Sequence, residues 1–210
     1  MRSTYLIAAA VVLALVAAGV LFGTDFFRKN PFAKGADEAT FLTQANEATA
    51  AGGFAALFTE HDARQWRLAG GHRLERFSLD QTGAVFARLT SSAPVDKTST
   101  DWEKQGLTVV FPVAFNNATA GKTVEIGFAA RSSSANGADK VSILYATRQA
   151  GNSSWREFKL GADFQMFTFK YKVPVDDKPY VNGPIVVITS DPAGGGHAVE
   201  LMGVYVKPAG

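Results

Sequence analysis

The side chains best suited to hold a ligand are two tryptophans and four basic residues. Trp66 and Trp102 lie in polar, turn-rich stretches, ARQWRLAGG and TDWEKQG. A flat aromatic face with hydrogen-bonding groups around it is what a pyranose ring packs against, so each tryptophan is a candidate sugar platform. The alternative is that each ring caps one end of a protein core. The basic candidates are Arg131, Arg148, Lys170 and Lys172.

These four basic residues and Glu125 would all project from one face of a sheet if the strand alternation is placed correctly. A basic surface flanked by aromatic residues suits an acidic polysaccharide or an anionic lipid surface. The competing interpretation is an ordinary solvated face, because antiparallel sheets commonly expose one polar side. The net charge of +2 is too small to indicate nucleic-acid binding.

The sequence contains no recognisable catalytic or metal-binding motif. It has no cysteine, which excludes disulfides, thiolate nucleophiles and Cys-ligated metals. The three histidines, His61, His72 and His197, have none of the spacings of a zinc site. The acidic residues are spread through turns, so no pair can be assigned to glycoside hydrolysis. We therefore expect a protein that is not an enzyme and that needs no cofactor.

The stretch from Asp191 to His197 (DPAGGGH) has the glycine content of a phosphate-binding loop. It lacks the Gly-Lys-Ser/Thr ending, and it leads into a strand instead of a helix. We expect a flexible connection there.

The N-terminus carries an apolar segment that predicts a membrane anchor. Eighteen residues from Tyr5 through Leu13 to Phe22 contain no charge. At ~1.5 Å per residue a helix of that length spans roughly 27 Å, close to the thickness of the hydrocarbon core. A cleaved signal peptide would end near Val16-Ala17-Ala18, but the apolar run continues to Phe22. We therefore expect a retained anchor, residues 1–23.

The charges that flank this segment give conflicting indications of orientation. Arg2 precedes it, whereas Arg28, Lys29 and Lys34 follow it, which would place the long side in the cytoplasm. The layout of a short basic tail and an apolar core is that of a secretory signal, and long domains translocate largely regardless of charge. We expect a single-pass protein of a bacterial inner membrane with its domain in the periplasm.

The remaining chain divides into a linker and a β domain. Residues 24–53 are expected to be a linker that includes a short helix or the first strand. Residues 54–210 show about nine or ten short strands separated by turns, including Leu107 to Phe115 and Met166 to Val173. In the second of these, Phe167 and Phe169 alternate with polar residues. The pattern predicts an all-β fold, an antiparallel β-sandwich or jelly roll, with no helix between its strands.

Residues 105–207 resemble the galactose-binding-like jelly rolls, the fold of many carbohydrate-binding modules. The segments that carry the resemblance are KVSILYATR (140–148), WREFKL (155–160), FTFKYKVP (167–174) and AVELMGVYV (198–206). The resemblance implies that Trp155 belongs to the core. Many members hold a structural calcium ion with an Asp near the middle of the last strand. Met202 stands there in this chain, with Glu200 nearby, so calcium is possible but not expected.

This family includes lectin-like modules, enzyme accessory domains and protein-interaction domains, so the fold alone does not give the function. The leading hypothesis is a membrane-anchored, extracytoplasmic, non-catalytic binding domain for a glycan, or for a partner in an envelope assembly that handles glycans. The alternative is a structural accessory subunit of a larger membrane protein complex. In that case the alanine-rich anchor would pack closely against other membrane helices.

Overall fold

The computed structural model describes residues 36–58, 65–78 and 85–209. Within these ranges the chain forms two α-helices, one 3₁₀ helix and eleven β-strands. The helices are α1 (Ala36–Ala50), α2 (Val113–Thr119) and the 3₁₀ helix (Trp102–Lys104). The strands are β1 (Phe54–Leu57), β2 (Trp66–Leu68), β3 (His72–Ser78), β4 (Val85–Ser91), β5 (Leu107–Val110), β6 (Thr123–Ser132), β7 (Lys140–Ala146), β8 (Arg156–Lys159), β9 (Gln165–Lys172), β10 (Ile185–Thr189) and β11 (Ala198–Pro208).

The strands form two antiparallel sheets. The first sheet has the order β3-β4-β11-β6-β9, and β1 pairs with the second half of β11, from Gly203 to Val206. The second sheet has the order β2-β5-β10-β7-β8. The predicted antiparallel β-sandwich is therefore confirmed.

Alternation along the strands builds the core between the two sheets. In β6, Val124, Ile126 and Phe128 are fully buried in the main apolar cluster, which also includes Val109 and Ile143 of the second sheet. Successive side chains of a strand point to opposite faces, so the residues between them face outward. Side chains that face outward from the sheets, and those of the loops, are the ones that a ligand can reach.

The outer face of the second sheet is also largely covered. All five residues of β10 are buried, although only one face of this strand points into the core. Ile185 and Val187 belong to a separate apolar cluster, and Trp102 and Trp155 pack against it. Trp102 lies in residues 92–106, which we call the cover loop. This loop shields the middle of the sheet from solvent.

Helix α1 packs on the outer face of the first sheet. Phe41 and Ala48 are fully buried, and the ring of Phe41 lies 6.2 Å, centroid to centroid, from that of Tyr205. A side chain at Gly203 would come within 3.0 Å of the Phe41 ring, so the glycine allows the helix to approach β11. The stretch for which a helix and a strand were both open is thus a helix, and the described residues from Asp37 onward belong to one compact unit.

One predicted strand is wrong in its second half. The strand expected from Leu107 to Phe115 ends at Val110, and α2 begins at Val113. Pro112 has no N–H for a sheet ladder, and its φ of −62° suits the entry to a helix. The expectation that no helix interrupts the strands is therefore also wrong.

The predicted anchor, with Tyr5, Leu13 and Phe22, lies outside the described residues. Among the residues that are described, no helix has the length and apolar character needed to cross a membrane. The anchor therefore stays a prediction.

Candidate functional site

A cavity of about 200 Å³ lies where the cover loop meets the end of the second sheet. Its lining combines an aromatic ring, an aliphatic side chain, a hydroxyl, two carboxylates and a guanidinium. These groups belong to Thr100, Asp101, Trp102, Glu103, Arg148 and Ile185. The structure thus brings together two of the residues nominated from the sequence, Trp102 and Arg148.

The 3₁₀ helix positions Trp102. Lys104 N–H donates to the carbonyl of Asp101 at 3.2 Å, and Gln105 N–H donates to that of Trp102 at 3.0 Å. These bonds fix the turn, while the Trp102 ring packs on the apolar cluster of the second sheet. The ring is only partly buried, so part of its surface remains available to a ligand.

Arg148 is held by charge and by an unusual backbone conformation. Its Nη2 lies 2.6 Å from Oε1 of Glu103, and Nη1 of Arg67 lies 2.8 Å from Oε2 of the same carboxylate. The φ of Arg148 is +65°, in the left-handed region that a side chain rarely adopts. Such a conformation costs about 1–3 kcal/mol and persists only where the surroundings enforce it, often at ligand sites.

The charges around the cavity nearly cancel. Asp101 pairs with Lys104 at 2.6 Å, and Glu103 is shared by Arg67 and Arg148. The lining therefore offers donors, acceptors and one flat apolar ring without a strong field of either sign. That combination suits a neutral, hydroxyl-rich molecule.

Trp66 does not line this cavity. Its ring packs edge to face on Phe58 at 4.6 Å, and the guanidinium of Arg76 lies 4.9 Å from its centroid. The indole N–H is buried, and no acceptor for it occurs in the described part of the chain. The structure places this tryptophan at the edge of the core.

Arg131, Lys170 and Lys172 lie on the outer face of the first sheet. Arg148 follows β7, which belongs to the second sheet, so the prediction that all four project from one face is wrong. Lys170 and Lys172 are exposed on the edge strand β9. Arg131 is partly buried, with its guanidinium 4.4 Å from the ring of Phe164.

Glu200 lies at the centre of that face, and the sequence did not reveal its role. Its carboxylate accepts hydrogen bonds from Arg131 Nε at 2.7 Å, Arg88 Nη2 at 2.9 Å and Ser133 Oγ at 3.2 Å. Burial alone would raise the pKa of Glu200, but the bonds from Arg88 and Arg131 outweigh it and the pKa is lowered. This group stabilises the fold.

Met202 occupies a β-bulge. Leu201 pairs with Ala130 and Gly203 with Ala129, so Met202 is left without a partner in the ladder. Its side chain packs in the apolar cluster of Phe41. Within the described ranges, no three His, Cys, Asp or Glu residues are grouped to hold a metal ion.

The sequence nominated Trp102 and Arg148 but missed Asp101 and Glu103. The available signal was the stretch TDWEKQG itself, in which carboxylates flank the tryptophan on both sides. Only the folded chain shows that Glu103 reaches Arg148 from 45 residues away in sequence (148 − 103).

No protein-family model and no curated protein matches the chain. Solved structures match its fold. One contains the CBM22-1 and GH10 modules of Clostridium thermocellum endo-1,4-β-D-xylanase 10B with xylohexaose. The match has 12% identity and a TM-score of 0.50, over 74% of this chain and 28% of that one. Another is the CBM22-1–CBM22-2 tandem domain of Paenibacillus barcinonensis Xyn10C, with 10% identity and a TM-score of 0.52, over 74% and 45%.

The single CBM22-1 xylan-binding domain of that Paenibacillus protein matches with 12% identity and a TM-score of 0.49, over 74% of this chain and 92% of its own. This chain spans less than half the length of the first two structures. At these identities the similarity to the first two structures shows a shared fold, the two-sheet antiparallel sandwich.

Proposed function

We propose that this chain is a non-catalytic glycan-binding domain whose site is the cavity beside Trp102. One observation carries the proposal. The aromatic ring and two carboxylates of Asp101 to Glu103 and the guanidinium of the distant Arg148 converge on one cavity of about 200 Å³. The shared fold adds support, because the two structures named first both contain CBM22 carbohydrate-binding modules.

In this proposal the apolar face of a sugar ring packs on Trp102, and Ile185 forms the floor beside it. Arg148 donates hydrogen bonds to ring hydroxyls, and the free lone pairs of Asp101 and Glu103 accept them. Because the lining charges nearly cancel, the sugar is neutral. The cavity is smaller than the usual ligand pocket of ~300–1,000 Å³, so it holds a single ring.

The site is proposed to bind without reaction. A pair of carboxylates that hydrolyses a glycoside needs one group free to act as an acid and the other free to act as a base or nucleophile. Here Asp101 is already engaged by Lys104, and Glu103 by Arg67 and Arg148.

The membrane anchor and the location outside the cytoplasm are part of the proposal. They rest on the uncharged run from Tyr5 to Phe22, which is long enough for a transmembrane helix. A domain held at a cell envelope in this way would meet glycans of that envelope or of its surroundings.

The test is glycan-array binding and calorimetric titration with xylohexaose. It uses the full chain in a detergent that has no sugar headgroup. Trp102→Ala should weaken binding at least tenfold, since the packing of the sugar ring on the aromatic face is lost. Arg148→Asn should do the same while keeping the fold, because asparagine tolerates a positive φ.

The matched controls are Lys170→Ala and Lys172→Ala, which change exposed residues of the other sheet and should bind as the wild type does. The proposal is wrong if the wild type binds no glycan on the array and no xylohexaose. It is equally wrong if the lysine variants lose binding while Trp102→Ala and Arg148→Asn retain it.

A further inference from the structure

A second cavity, of about 310 Å³, lies at the opposite end of the second sheet. It is formed where β7 begins, where β10 ends and where the chain enters β11. Its polar side chains are those of Asp139, Lys140, Ser190, Asp191 and His197, and Ala138 and Pro192 add apolar surface.

Asp191 and His197 form a fixed pair in this cavity. Nδ1 of His197 lies 2.6 Å from Oδ2 of Asp191. The carboxylate also accepts the backbone N–H of Ala193 at 2.9 Å and that of His197 at 3.3 Å. Burial alone would raise the pKa of Asp191, but these bonds, with that of the imidazole foremost, lower it. The aspartate is an acceptor only, so the proton of a neutral imidazole sits on Nδ1 and Nε2 is left as an acceptor.

The glycine-rich loop is shaped around this pair. A side chain at Gly195 would come within 2.9 Å of Oδ2 of Asp191 and 3.3 Å of the His197 ring. Asn136, at a φ of +54°, lies in the loop between β6 and β7. Its Nδ2 donates to the carbonyl of Gly196 at 2.9 Å and so connects that loop to the glycine-rich loop. The stretch expected to be a flexible connection is thus held by several hydrogen bonds.

The open groups of this cavity favour a neutral polyol over an anion. Four N–H groups of the glycine-rich loop, those of Ala193, Gly194, Gly196 and His197, already bind the carboxylate of Asp191 or backbone carbonyls. Lys140 is held by Glu157 at 2.9 Å. What remains is Nε2 of His197, whose side chain is 52% exposed, and the exposed Asp139. These groups accept hydrogen bonds from hydroxyls.

The two cavities share the second sheet. Ile185 lines the first cavity and Ser190 the second. The two residues are five positions apart along nearly extended chain, which is roughly 17 Å at ~3.3 Å per residue. The cover loop touches both ends, because Val95 N–H donates to the carbonyl of Pro192 at 3.0 Å while Trp102 lines the first cavity.

We infer that the cavity of His197 is a second subsite, which takes a neutral sugar ring of the same oligosaccharide that occupies the Trp102 cavity. The inference rests on the proposed function. Once an oligosaccharide occupies one cavity, its binding to the other is intramolecular. The affinity of the oligosaccharide for the protein therefore rises without new contacts at the first cavity. A short glycan can occupy one cavity at a time.

The experiment compares xylohexaose with xylobiose on the full chain. In the wild type, the hexasaccharide should bind at least tenfold more tightly than the disaccharide. His197→Asn keeps a donor near the position of Nδ1 for Asp191 and removes Nε2. His197→Asn should abolish most of the difference in affinity between xylohexaose and xylobiose. His197→Gln, which keeps a polar group near the position of Nε2, should retain part of that difference.

A long-range ¹H–¹⁵N spectrum gives an independent readout, since the chain has only three histidines. Xylohexaose should shift the Nε2 resonance of His197 in the wild type. It should also do so, at higher concentration, in Arg148→Asn. If xylohexaose binds but His197→Asn keeps the full length dependence and the His197 resonance does not move, this inference is wrong and the proposed function stands.

If neither xylohexaose nor any array glycan binds the wild type, the proposed function and the inference of a second subsite are both wrong. If the array shows binding to another glycan, the hexasaccharide and disaccharide of that glycan take the place of xylohexaose and xylobiose. The expected and the contradicting results stay the same.

Discussion

Replacing Glu200 by glutamine should destabilise the fold far more than the small chemical change suggests. The side chain of Glu200 is 2% exposed, and its two oxygens bind Arg88 and Arg131. A glutamine amide presents one oxygen, which accepts, and one NH₂ group, which only donates. In either orientation, one of the two guanidinium groups then faces a donor in place of an acceptor.

The magnitude follows from what is lost. A hydrogen bond to a charged group contributes about 1.5–3 kcal/mol, and an unsatisfied buried donor costs about 1–3 kcal/mol more. Removing one member of a buried ion pair typically costs about 3–5 kcal/mol. Arg88 and Arg131 keep 21% and 19% of their side chains exposed, so water moderates the loss. We expect Glu200→Gln to lower the free energy of unfolding by about 3 kcal/mol.

Glu157→Gln is the matched control. Glu157 also accepts two basic side chains, Lys140 at 2.9 Å and Lys97 at 3.4 Å, but it is 37% exposed. Exposed ion pairs contribute little, so this variant should stay within about 1 kcal/mol of the wild type. Urea unfolding followed by circular dichroism measures both, because urea adds no salt that would screen the pairs. A loss for Glu200→Gln no larger than that for Glu157→Gln would refute the reasoning.

The carboxylate of Glu200 also makes the stability of the fold depend on pH in the acidic range. The pKa of Glu200 is lower in the folded chain than in the unfolded one, where it is about 4.3. Its contribution is therefore complete above that value and is lost as the pH falls towards the folded pKa. The difference in stability between the wild type and Glu200→Gln should shrink as the pH is lowered from 6 to about 3. A difference that stays constant would contradict the assigned role.

Two further predictions concern the backbone and the anchor. Gly127→Ala should lower the free energy of unfolding by about 2–3 kcal/mol, because the new Cβ would lie 2.1 Å from the ring of the buried Tyr205. Gly161→Ala, with its nearest neighbour at 3.6 Å, should change it by less than about 1 kcal/mol, and urea unfolding compares the two. A phosphatase that is active only in the periplasm should be active when it is fused after Gly210. If it is inactive there while a reporter that works only in the cytoplasm is active, the domain lies in the cytoplasm.

The strands were predictable because their alternation is local. Phe167 and Phe169 face the core and the residues between them do not, which a two-residue period shows directly. Helix α1 was not predictable from its buried face. Phe41, Ala45 and Ala48 have helical spacing, but two of the three are alanines in a stretch that contains several others. Helix α2 is short, and only Pro112 marks where the strand before it ends.

The candidate site was half predictable for a different reason. Trp102 is conspicuous by type, and its polar surroundings indicate an exposed turn. Its partner Arg148 becomes its neighbour only because the cover loop folds across the sheet to the end of β7. Likewise, Glu200 lies in an apolar strand. The arginines that neutralise its buried charge come from the strands on either side of it.

The cover loop also limits which part of the second sheet a ligand could reach. Beneath it lie a floor of Leu144, Ala146, Ile185 and Val187, and the buried hydroxyls of Thr108 and Ser142, for which the described chain holds no partner. A variant with a shorter loop would turn two separate cavities into one open groove with an apolar floor and hydroxyls along it. On the proposed function, the length of this loop would decide whether the domain binds separate sugar rings or a continuous polymer, so residues 92–106 are where its selectivity could be redesigned.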